Sequence, residues 1–243
     1  MKIKSAVIFC LITINSFGQE TEKVTKEFEN PWYTEKYSVL KTDKNIRHGN
    51  FKKLGYKNCL VIDGFYKNGE KDSLWTNYFW RSKQIEKQGM YLNGQRIGEW
   101  NFYSYEGTLL QTYNFSSKQL VYSAVPTTAT QVIDSNKVTE KKLKTSPQFI
   151  GSTVELYEYI YPKLVQVLES VNFEMKSGTV WITFFVDKDG HAINHKIESG
   201  ILEKVDRQCL EIVKAIPDLW IPGTDETGNV SAMYKLPVKF KMK

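Results

Sequence analysis

Residues 178–199 read GTVWITFFVDKDGHAINHKIES, and the reading of this stretch decides the fold of the C-terminal half. Val180, Ile182, Phe184 and Val186 alternate with Thr179, Trp181, Thr183 and Phe185. That period of two sends successive side chains to opposite faces of a strand. Asp189-Gly190 follows, a pair suited to the positive backbone angles of a tight turn, so residues 179–187 and 191–199 are expected to form one antiparallel hairpin.

Outward from the hairpin the pattern turns helical. Upstream, Ser152 and Glu155 have the spacing of a capping box, with Leu156, Tyr159 and Ile160 on one face of the helix that follows. Pro162 interrupts it, and a second segment is expected from Leu164 to Phe173. Downstream, Leu202, Val205, Cys209, Ile212, Val213 and Ile216 recur at helical spacing and stop at Pro217. The last strand sets Val230, Ala232, Tyr234, Leu236, Val238 and Phe240 against Ser231, Met233, Lys235 and Lys239. Helix, hairpin, helix, edge strand predicts an α+β domain over residues 147–243, a three-stranded antiparallel sheet with helices on one side. Pro237 cannot donate to a ladder and so belongs on an edge, where Met233, Lys235 and Lys239 share its outward side. Two readings of that edge stay open: it accepts a partner strand, or proline and lysines blunt it against aggregation.

The first half is organised by a repeat. Gly64-Phe65-Tyr66-Lys67-Asn68-Gly69 recurs as Gly89-Met90-Tyr91-Leu92-Asn93-Gly94, and Trp75 and Tyr78 recur as Trp100 and Tyr103, all twenty-five residues on. Each unit predicts a hairpin closed by Asn-Gly, and the units together predict an all-β domain of repeated hairpins over residues 20–122. Trp75, Tyr78, Trp100 and Tyr103 are expected in the core of that sheet, and Trp80 and Tyr105 on an exposed face. Residues 123–146, poor in aromatics and rich in Thr, Ser and Lys, read as a flexible linker that lets the two domains engage separate surfaces.

Residues 1–19 have the charged, apolar and small-polar regions of a secretory signal peptide, and the apolar run is too short to span a bilayer. The expected location is the periplasm, with membrane association if the signal stays uncut. Cys59 and Cys209 then remain, in different domains, and read as separate thiols. The net charge of +6 is spread along the chain and supplies no basic face for nucleic acid. His191 and His195 lie near Asp187 and Asp189, but a third histidine or a cysteine is missing nearby and the turn already accounts for Asp-Lys-Asp-Gly, so no metal and no cofactor is expected. No nucleophile elbow, phosphate-binding glycine loop or zinc-protease helix occurs, and no catalytic residue is assigned. Glu70, Asp72 and Glu86 offer carboxylates that no spacing singles out.

Two resemblances add to this reading. The Gly-x-Tyr-x-x-Gly and Trp-x-x-Tyr units over about residues 48–115 resemble MORN-type repeats of the YwqK-like, antitoxin-like kind. Phe149-Ile150-Gly151, Asp189-Gly190, Trp220-x-Pro222-Gly223 and Tyr234-Lys235-Leu236-Pro237-Val238 resemble the C-terminal domain of TonB-like proteins. The second resemblance implies an envelope binding protein, not an enzyme, that captures an extended segment of an outer-membrane transporter or other envelope protein. Capture would run along the edge of the last strand, at Ser231, Met233, Tyr234, Lys235 and Lys239. The alternative is a glycan-binding or structural envelope protein that uses Trp80 and Tyr105, with the TonB-like fold only a scaffold.

Overall fold

The computed structural model describes residues 19–29, 32–134, 137–169 and 177–240. All but Gln19 of the expected signal peptide over residues 1–19, and the end of the helical segment toward Phe173, lie outside the described residues. Within them are seventeen strands and two α-helices, so the chain is mostly β. This corrects the expected fold class. The C-terminal half is not an α+β unit with a three-stranded sheet, because its sheet has six strands, and a nine-stranded antiparallel sheet precedes it.

The larger sheet is a meander in chain order: β1 (Thr21–Glu29), β2 (Trp32–Leu40), β3 (Arg47–Leu54), β4 (Leu60–Lys67), β5 (Glu70–Tyr78), β6 (Ile85–Leu92), β7 (Gln95–Tyr103), β8 (Leu109–Asn114) and β9 (Gln119–Ser123). Its repeat turns follow from their residues. Asn68 and Gly69 take φ 52° and 89°, and Asn93 and Gly94 take 48° and 76°, the two positive angles of a two-residue hairpin. Trp75 and Trp100 are buried, while Tyr78 and Tyr103 are only half-buried. The expectation that all four form the core is therefore corrected, because three residues along a strand leads to the opposite face.

On the Trp face the rings form an edge-to-face column. Tyr66 meets Trp75 at 5.1 Å, Tyr91 meets Trp100 at 5.0 Å, and Trp100 meets Phe115 at 6.1 Å between centroids. Each unit lays a cation on this column: Arg47 lies over Tyr37, Lys71 over Trp75 at 4.4 Å, and Arg96 over Trp100 at 4.4 Å. A single layer of sheet thus buries its rings under the stems of long basic side chains.

The second sheet runs β11 (Lys137–Lys142), β10 (Ala129–Asp134), β17 (Gly228–Phe240), β13 (Gly178–Val186), β14 (Ala192–Ser199), with β16 (Gly223–Asp225) also on β17. A two-stranded pairing joins β12 (Gln148–Phe149) to β15 (Trp220–Ile221). β13 and β17 pair from Gly178–Phe240 to Val186–Ala232. Over one face lie α1 (Ser152–Glu169) and α2 (Glu203–Lys214), whose Leu156, Ile160, Val205 and Cys209 pack with Ile182, Phe184 and Leu236. α1 continues through Pro162, and its buried stripe is Leu156, Ile160, Leu164 and Val167, with Tyr159 exposed. Cys59 and Cys209 are free thiols.

The β13–β14 hairpin has a three-residue loop in which Gly190 alone of the Asp-Gly pair takes positive φ, 89°. The Asp187 carboxylate closes the loop by accepting the amides of Asp189 at 3.0 Å and His191 at 2.8 Å. The flexible-linker expectation for 123–146 is corrected, since β10 and β11 come from it. Val132 buries against Leu143, Val230 and Ala232, Lys141 pairs with Asp225, and the Lys144 amide donates to the Thr224 carbonyl at 2.7 Å. Backbone pairing with an existing strand orders a segment whose own apolar content is small.

Candidate functional site

Two places collect the residues singled out by sequence: the outer edge of β17, and the seam between the sheets.

Backbone groups of alternate residues on β17 turn away from β13. Pro237, opposite Trp181, must be one of these, because it has no amide to give the ladder; Ser231, Met233, Lys235 and Lys239 share its phase. Different donors meet this side. β10 pairs at Ile133–Ser231 and Val132–Ala232 and at no other position among the described residues. The Thr130 hydroxyl donates to the Met233 carbonyl at 3.2 Å, and the Tyr157 hydroxyl of α1 donates to the Pro237 carbonyl at 3.1 Å. Beyond Ala232 the strands part, and a groove of about 380 Å³ opens between Pro126–Thr130 and Met233–Lys235. The side chains of the edge do not all face a partner. Tyr234 packs inward on Trp220 at 4.9 Å, and burial pushes its phenol up to about 12. Lys235 lies over Trp181 and pairs with Glu198 at 2.5 Å, and Lys239 is exposed.

The seam is polar and largely buried. Gln111, fully buried on β8, donates to Gln148 Oε1 at 2.8 Å and to the Phe149 carbonyl at 3.0 Å, and accepts the Gly151 amide at 2.7 Å. Glu155, expected as a helix cap, is instead held by Arg96 through a two-pronged contact at 2.9 and 2.6 Å and by Lys87 at 3.0 Å. Lys87 also reaches Glu158 at 2.7 Å. Burial acts to raise the Glu155 carboxyl, but hydrogen bonds and charge from Arg96 and Lys87 hold it below its ordinary value. The two halves are therefore joined face to face rather than tethered.

Beside this cluster a cleft of about 580 Å³ separates the repeat sheet from α1. Phe79 and Tyr105, edge-to-face at 5.4 Å, form one wall; Tyr157 and Tyr161, stacked at 5.1 Å one helical turn apart, form the other. Glu86 lies between them as the extra residue of a β-bulge on β6. Its burial pushes the carboxyl up to about 7, Lys87 pulling against that shift and Glu158 and Glu155 adding to it. Of the two expected exposed aromatics, Tyr105 (58% exposed) joins the cleft, while Trp80 (42%) lies away from it against Gly55.

Asp187, Asp189 and His191 bring possible ligand atoms within 4.8 Å of one another, and the first of these is already committed to the hairpin loop. His195 stacks on Phe184 at 4.9 Å, a packed ring. Among the described residues no helix is long and apolar enough to cross a membrane. Sequence reasoning missed Lys71 and Arg96, which the twenty-five-residue offset would have exposed, and it missed Lys87 and Glu155, whose pairing no local pattern signals. No family model, no curated protein and no solved structure matches the chain.

Proposed function

We propose that the chain is a non-catalytic, exported envelope protein that captures an extended segment of an outer-membrane transporter, or of another envelope protein, by strand addition to the outer edge of β17. The reading is carried by how that edge is met: two backbone pairs from β10, then hydroxyls of Thr130 and Tyr157 standing where a strand's amides would be. An incoming strand exchanges these scattered donors for a continuous ladder, with the groove at Met233–Lys235 as its point of entry. The resemblance of residues 147–243 to TonB C-terminal domains supports the class of partner. The glycan-binding alternative draws on the exposure of Trp80 and Tyr105.

Two proline substitutions test the capture. Lys235→Pro removes an outward amide at a position in phase with Pro237 and leaves the β13 ladder intact. Binding of extended transporter-derived peptides, followed by fluorescence anisotropy, should weaken by about tenfold. Ile133→Pro removes the β10 amide that serves Ser231 and should strengthen the same binding by about fivefold. Peptide binding untouched by both changes would place the partner elsewhere, and loss of binding on Trp80→Ala and Tyr105→Ala alone would favour the glycan reading.

Export makes its own prediction. The intact mass of the native protein should correspond to a start near Gln19 or Glu20, whereas a retained Met1 would make the first apolar run an anchor.

A further inference from the structure

The bulge carrying Glu86 belongs to a series. Val61 on β4 and Leu110 on β8 are the extra residues of the corresponding bulges in the neighbouring units, and both are apolar. The repeat fold therefore does not require a carboxylate at this place. Glu86 nonetheless stands between two aromatic walls, the Phe79–Tyr105 pair and the Tyr157–Tyr161 pair.

Charge around it is uneven. The charged groups that reach Glu86 are Lys87 on its own strand and Glu155 and Glu158 on α1, with Arg96 behind them on Glu155. Lys87 and Arg96 are fully engaged by Glu155 and Glu158. Among the described residues the cluster thus holds three carboxylates against two cations, and Glu86 is the carboxylate left without an ion pair. Tyr103, Tyr157 and Tyr161 add rings and neutral hydroxyls but no positive charge.

From the aromatic walls, the unmatched carboxylate and the volume of the cleft, we propose that it binds a small organic ammonium ion, whose charge sits over the tyrosine faces and pairs with Glu86. The cation supplies the missing counter-charge, and its apolar substituents fill a space of about 580 Å³ that suits a small molecule. Binding then requires Glu86 to be ionised, and since its carboxyl titrates at about 7, occupancy falls as the solution becomes acid. The inference does not rest on strand capture at β17, although Tyr157 borders both places.

The test is calorimetric titration of the whole protein with benzyltrimethylammonium and, as a neutral probe of similar shape, benzyl alcohol. A parallel arm with N-acetyl-lysine methylamide distinguishes a free amine ligand from a peptide side chain. The expected result is binding of the ammonium probe, at least tenfold weaker binding of the alcohol, and about a tenfold loss of ammonium affinity between pH 8 and pH 6. Glu86→Gln, which keeps the shape of the side chain, should weaken the ammonium probe at pH 8 by about tenfold and abolish its pH dependence. Tyr105→Ala, at an exposed position where folding is not at stake, should weaken it without changing the pH dependence. Equal binding of the neutral and charged probes, or an ammonium affinity unchanged in Glu86→Gln, overturns the proposal. So does the absence of binding by either ammonium-bearing probe.

Discussion

Glu155→Ala is expected to destabilise the chain by about 3–5 kcal/mol, measured as a lowered urea midpoint, because it removes the buried anion on which one buried and one half-buried cation converge. The Lys87 and Glu155 side chains are 6% and 7% exposed, and the Arg96 fork closes on the same carboxylate. Without Glu155, Arg96 loses its acidic partner, and Lys87 keeps only Glu158, whose side chain is 48% exposed. Glu158→Ala should by contrast cost about 1 kcal/mol or less, since solvent screens that arm. The pH dependence has a definite sign. Glu155 has its folded pKa below the ordinary 4.5, so its contribution is complete above that value and is lost as pH falls through the lower, folded one. Lys87 has its folded pKa above the ordinary 10.5, so its contribution is complete below that value and is lost as pH rises through the folded one. Glu86 acts the other way from Glu155: its folded pKa of about 7 lies above the ordinary 4.5, so the folded state binds the extra proton and stability declines as pH rises between the two. Glu86→Gln should remove that decline and leave the acid limb due to Glu155 in place.

The seam shows why part of this protein was legible in its sequence and part was not. The repeat turns and the β13–β14 hairpin depend on residues within a few positions of one another, so Asn-Gly, Gly190 and period-two alternation expose them. β10 and β11 depend on a strand about a hundred residues away, and Val132 is their one buried side chain, so composition reads as linker. Ser152 and Glu155 illustrate a local pattern overridden by tertiary contact. Their spacing fits a cap, but Ser152 takes φ 61° and the Glu155 carboxylate crosses to the other sheet. Glu86 became distinguishable from Glu70 and Asp72 only once a bulge and a helix had been placed around it. The seam also changes what the repeats can do. With Arg96 and Lys87 bound to α1, a ligand held in the cleft touches the same helix whose Tyr157 hydroxyl meets the β17 edge at Pro237.

Gly89→Ala carries the second large effect, and its cause lies in the repeat. A β-carbon at Gly89 would stand 2.3–2.4 Å from ring atoms of Trp100, and one at Gly64 would stand 2.4–2.7 Å from ring atoms of Trp75, so in both units the indole lies flat on a bare α-carbon. The ring has no room to retreat: Trp100 is 1% exposed, its Nε1 donates to the Met90 carbonyl at 3.1 Å, and Tyr91, Phe115 and Arg96 pack around it. Trp75 is fixed in the same way by donation to the Phe65 carbonyl at 3.0 Å, the residue twenty-five before Met90. Gly89→Ala should therefore cost about 2–3 kcal/mol as an overpacked core, and Trp100→Ala about 3–5 kcal/mol for the cavity left in the column. The decisive measurement is the double variant. If ring and glycine form one unit, the alanine methyl at 89 costs little once the indole is gone, so the double variant should be less destabilised than the sum of the singles by about 1–3 kcal/mol. Simple additivity would mean that Gly89 is required for its backbone rather than for the ring, and the shared Gly-x-Tyr and Trp spacing of the two units would then need a different physical cause.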